Sequence, residues 1–98
     1  MASSWEIHTN LRGGNGIVVT HTKKVFGIYF IKLDLRPEST IGEHFHMGDS
    51  EIYLTFSRNI RFCESKKWRL FNFCKKGYAH SAANLSKEKN ARIWAVKF

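Results

Sequence analysis

The chain has 98 residues, with 16 Lys and Arg against 8 Asp and Glu, for a formal charge of +8. That length supports one hydrophobic core, and so a single domain over residues 1–98 with no room for a second catalytic domain. A composition 43% hydrophobic with one proline, Pro37, excludes a disordered chain, and no apolar run approaches the roughly 20 residues that cross a bilayer as a helix.

In chain order, Met1 to Glu6 has neither the basic start nor the apolar centre of a secretory signal, so a cytoplasmic location is expected. Residues 1–10 read as an N-terminal segment able to add an edge strand. Leu11-Arg12-Gly13-Gly14-Asn15-Gly16 is a glycine-rich loop, and the β-branched run Ile17 to His21 after it is a strand. A phosphate-binding loop would need a helix at that point, so this loop is not one. Val25 to Leu35 reads as one long strand ended by Pro37. Thr40 to His46 and Glu51 to Phe56 are two strands around the turn Met47-Gly48-Asp49-Ser50. Ile60 to Cys63 and Trp68 to Cys74 flank the polar turn Glu64 to Lys67, and Leu85 to Asn90 separates a short strand at His80 from a last one at Arg92 to Phe98. Short segments of period two, about eight in number, predict an all-β sandwich or barrel. Cys63 and Cys74 are too few for a disulfide framework and too far apart for a Cys-x-x-Cys motif, and both are expected as reduced strand residues.

The chemistry concentrates in His44-Phe45-His46, Glu51 and His80. Side chains two apart on a strand share a face, so His44 and His46 point together while Phe45 points away. Gly48 permits a tight reversal, which predicts that the strand from Glu51 runs antiparallel beside the histidine pair. His80 must then come from a distant strand. Three imidazoles and one carboxylate form a ligand set for a divalent transition metal, whether Fe, Mn, Ni, Cu or Zn, and leave positions open for water or a chelating substrate.

These residues resemble a known family. Gly42-Glu43-His44-Phe45-His46-Met47-Gly48-Asp49-Ser50-Glu51 is similar to the first cupin motif, His-x-His-x(3,4)-Glu, and Gly77-Tyr78-Ala79-His80-Ser81-Ala82-Ala83-Asn84 to the second, Gly-x-x-His-x-x-x-Asn. Residues 11–16, the segment from Ile28 to Ile41 and the closing strand also look like small single-domain cupins, so the resemblance covers most of the chain. It departs from the pattern at Glu38 and Arg58, where glycines are usual, and at Lys75, where a proline is usual. The resemblance implies a cupin-type double-stranded β-helix, or jelly-roll barrel, holding a metal at His44, His46, Glu51 and His80, and often a dimer. It does not imply a reaction, because fold does not fix function.

With Glu51 facing inward, period two places Tyr53 and Thr55 inside near the metal, and Ile52, Leu54 and Phe56 outside. Tyr53 is the candidate catalytic side chain, a phenol able to give a proton or hold a substrate oxygen. The outward row, with Trp94, Val96 and Phe98, is read either as the interface of a homodimer or as ordinary core between two sheets. Tyr29, Phe45, Tyr78 and the three tryptophans are read as core or rim rather than a stacking platform. His8 and His21 have no partner at motif spacing and are given no role. Three functions compete: a metal-dependent enzyme acting on a small polar or anionic molecule; a non-catalytic binding module for a small molecule such as a sugar; and a basic nucleic-acid-associated protein. The dispersed lysines and arginines, without a recognised motif, argue against the third.

Overall fold

The computed structural model describes residues 2–45 and 48–98. Among the described residues nine strands follow in order: β1 (Ala2–Thr9), β2 (Ile17–Val25), β3 (Ile28–Leu35), β4 (Thr40–His44), β5 (Glu51–Leu54), β6 (Ile60–Phe62), β7 (Phe71–Cys74), β8 (His80–Asn84) and β9 (Ala91–Lys97). They form a six-stranded sheet in the order β1-β2-β3-β9-β5-β7 and a three-stranded sheet in the order β4-β8-β6. Every pairing is antiparallel.

Alternation places one face of each strand inward. Val18, Leu35, Tyr53, Ala91, Ile93 and Ala95 of the large sheet meet Ile41, Ile60, Phe62 and Ala82 of the small one to form the core. Burying side chains such as Leu35, Ile60 and Ile93 contributes roughly 1.5–3 kcal/mol each. Asn84, only 2% exposed, ties this core to its loops. Its amide donates to the carbonyls of Leu35, Arg36 and Lys89, and its Oδ1 accepts from Asn59 and from the Ser86 amide.

Three sequence expectations are corrected. The stretch from Val25 to Leu35 is not one strand: Val25 pairs with Ile28 across a two-residue hairpin turn at Phe26 and Gly27. Both turn residues have positive φ, 49° and 79°, the twist that suits a tight hairpin. Gly27 adopts that conformation without steric cost, and Phe26 stands outside the fold almost fully exposed. Second, β5 does not lie beside β4. β4 pairs with β8 in the small sheet, and β5 pairs with β7 and β9 in the large one. β4 and β5 therefore belong to different sheets. Third, the outer apolar rows are not core. Ile52, Phe71, Phe73, Trp94 and Phe98 are exposed on the large sheet or its end, as are Trp5, Phe45 and Tyr78 elsewhere.

The glycine-rich loop carries a short 3-10 turn, Leu11–Gly13, packed against β4. Gly14 and Gly42 make that approach possible, because a Cβ on either would collide with backbone of the other segment.

Candidate metal centre

β4 and β8 set two histidines side by side. His44 is the direct partner of His80, although Ile41 pairs with Ala82, so β4 spends three residues where β8 spends two. That bulge turns both Ile41 and His44 to the interior, which strict alternation would forbid. The two imidazole rings lie 4.2 Å apart, edge to face. Across the interior, Glu51 opens β5 on the large sheet and is 5% exposed. Its Oε1 lies 3.4 Å from His80 Nε2. Ligand atoms of His44, Glu51 and His80 all fall within 4.8 Å of one another, a spacing able to hold a metal ion. His46, the fourth ligand expected from the sequence, lies outside the described residues.

Nδ1 of His44 is 2.8 Å from the Gly42 carbonyl. A carbonyl only accepts, so Nδ1 carries the proton, and in the neutral ring Nε2 is the nitrogen with the in-plane lone pair. Nδ1 of His80 is 2.9 Å from Cys74 Sγ and 3.4 Å from the Tyr78 carbonyl. Cys74 is the cross-strand partner of Glu51, which places its thiol on the interior face beside the carboxylate.

Tyr53, two residues after Glu51, is 7% exposed, and its ring is 5.8 Å from that of His80. Burial first, then the charge of Glu51 and a hydrogen bond to it, push the phenol far above its usual pKa. Tyr53 is therefore held as a neutral hydroxyl. Thr55 also faces inward but takes no part here: its hydroxyl donates to the Arg92 carbonyl at 2.7 Å and accepts from the Ser57 amide.

His44, Glu51, Tyr53 and His80 line one cavity of about 320 Å3 between the sheets. Leu33, Ile41, Phe62 and Ile93 give it apolar walls, and Glu6, His8, Arg12, Thr20 and Lys97 add polar groups. His8 Nε2 is 3.1 Å from Thr20 Oγ1 and 3.6 Å from a Glu6 oxygen. Sequence reasoning gave none of these five a role. Their signal was the period-two spacing of Glu6 and His8, legible only once β1 is known to pair with β2.

Two facing antiparallel sheets around a cavity that holds a His, Glu, His cluster define a β-barrel of the jelly-roll, double-stranded β-helix class. A solved structure described as a predicted oxalate decarboxylase from Thermotoga maritima superimposes with a TM-score of 0.77 at 25% identity, covering 97% of this chain and 91% of that one. The cupin domain of Cnp3 from Schizosaccharomyces pombe matches with a TM-score of 0.66 at 8% identity, over 82% of this chain and 59% of that one. The chain therefore has the fold of a cupin domain. An oxalate decarboxylase of Bacillus subtilis, described for its Mn(II) centres, matches with a TM-score of 0.61 at 16% identity, over 99% of this chain and 29% of that one. No protein-family model and no curated protein matches the sequence.

Proposed function

We propose that the protein binds one divalent transition metal through His44, Glu51 and His80, with His46 completing the set, and uses it to hold a small polar, anionic molecule in the cavity. The observation that carries this is the convergence of three ligand atoms within 4.8 Å from strands of both sheets. Imidazole nitrogen with a carboxylate suits Fe, Mn, Ni, Cu or Zn. The ion would supply Lewis-acid polarisation of ligand oxygens. Tyr53, as a neutral donor, orients Glu51 or a ligand oxygen rather than exchanging a proton, since its acidity is suppressed. Arg12 and Lys97 on the cavity lining support an anionic ligand.

Catalysis and simple binding use the same groups, so both an enzyme and a non-catalytic sugar-type binding module remain readings of this site. Two free thiols, Cys63 and Cys74, suit a reducing compartment such as the cytoplasm. A second copy of the chain is the proposed partner for the exposed outer face of the large sheet.

The test is metal analysis of tag-free protein after loading with iron, manganese, nickel and zinc, beside the variants His44→Ala, His46→Ala and Glu51→Ala. Near-stoichiometric metal in the wild type and its loss in the variants are expected. Equal trace metal in all four proteins would overturn the reading. Small carboxylates and sugars screened against the loaded wild type then separate turnover from binding alone.

A further inference from the structure

The Cys74 thiol sits on the Nδ1 side of His80, away from the nitrogen that approaches Glu51. It is not one of the three clustered ligands. Its Sγ lies 3.4 Å from the Tyr78 carbonyl and 3.7 Å from that of Lys75. A thiol donates one hydrogen, and carbonyls can only accept, so an S–H directed at this backbone turn leaves the sulfur lone pairs toward His80. In that arrangement a proton on Nδ1 of His80 donates to the sulfur, and Nε2 is the nitrogen that faces Glu51. A thiol at this position can donate and accept at once.

We propose that Cys74 is a positioning residue: it fixes the His80 imidazole in the Nδ1-protonated tautomer and in the orientation that presents Nε2 to the metal. The proposal rests on the reading of His80 as a ligand. It assigns a role to a residue outside both sequence motifs. The geometry is two opposed cross-strand pairs, His44 with His80 on the small sheet and Glu51 with Cys74 on the large one. His44 is steered by the Gly42 carbonyl, and His80, whose Nδ1 lies farther from a carbonyl, is steered mainly by sulfur. Partners that orient a metal-binding histidine commonly change metal affinity 10–100-fold when removed.

The experiment compares the full-length wild type with Cys74→Ala and Cys74→Ser. Imidazole nitrogen NMR on the chelator-treated proteins reads the His80 tautomer without any metal. It should report Nδ1–H in the wild type and in Cys74→Ser, where a hydroxyl donates and accepts in the same way, and a mixture in Cys74→Ala. Titration with Mn(II) and Co(II) should show affinity about 10–100-fold weaker for Cys74→Ala and within a few-fold of wild type for Cys74→Ser. An unchanged tautomer in a folded Cys74→Ala overturns the proposal, as does a thiolate-to-Co(II) charge-transfer band lost in both variants, which would make Cys74 a ligand. If the wild type binds no metal, the metal reading fails, while the tautomer measurement still decides whether Cys74 sets the His80 ring.

Discussion

His44 and His80 are directly opposed on neighbouring strands, their rings 4.2 Å apart, with the Glu51 carboxylate reaching them from the other sheet. Metal bound there would join β4 and β8 to β5 and so stabilise the folded state by mass action. At a free metal concentration of 100 times Kd the gain is about 2.7 kcal/mol, or roughly 10–20 °C in Tm for a domain of this size. Differential scanning fluorimetry with Mn(II), Ni(II) and Zn(II) checks it. His44→Ala and Glu51→Ala should abolish the rise, and an identical rise in both variants would place the metal elsewhere.

Tyr53 gives a pH signature. Its phenol is raised in the folded state by burial and by Glu51, so above the ordinary phenol range, near pH 10, the unfolded chain releases a proton that the folded one keeps. The stability this residue contributes is complete below pH 10 and falls as pH rises through the alkaline range, by at most about 1.4 kcal/mol per pH unit. Urea unfolding of chelated protein from pH 8 to 11 should show a steeper loss for wild type than for Tyr53→Phe. Parallel curves would mean that the phenol is not held neutral.

The motif spacing made His44, Glu51 and His80 legible because a period of two fixes which face a side chain takes. It says nothing about which strand lies alongside. The sequence placed β5 next to β4, whereas the fold puts them in opposite sheets, and the ligands still meet because facing sheets converge as well as neighbouring strands do. His44 reaches the interior only through a bulge, at the point where Gly42 packs closely on the glycine-rich loop. The hairpin at Phe26 and Gly27 was hidden because an unbroken apolar run outweighs one glycine. Glu6, His8 and Cys74 were given no functional role for another reason: their value comes from cross-strand neighbours distant in sequence.

Asn84 closes the second motif and acts as a brace. Its amide satisfies three carbonyls, and its oxygen accepts two donors, at a site 2% exposed. Each buried group left without a partner costs about 1–3 kcal/mol. Asn84→Ala should therefore lose roughly 3–5 kcal/mol, and Asn84→Asp should also be destabilised, because a carboxylate cannot donate to the carbonyls of Leu35, Arg36 and Lys89. Thermal denaturation measures both. A fall in Tm of only a degree or two would mean that these loops are held by other contacts.

The outer face of the large sheet predicts self-association. Ile52 stands between Val96 and Phe73 on adjacent strands, and Leu54 between Trp94 and Phe71, with Phe30 extending the first row. Taking roughly 200 Å2 for each whole side chain, the exposed parts of Phe30, Ile52, Phe71, Phe73, Trp94 and Phe98 come to about 600 Å2. That is the lower end of the ~600–1,000 Å2 that each partner contributes to a standard interface. An isologous dimer also covers the β7 side of the sheet, where Phe71 and Phe73 are most exposed. Charge opposes the contact, since each copy carries +8, so added salt should tighten it by screening the repulsion. Sedimentation analysis should find a dimer in the wild type, and a monomer with unchanged circular dichroism in the double variant Ile52→Lys, Phe73→Lys. A wild type that remains monomeric at high salt and high concentration would leave this face to a different partner.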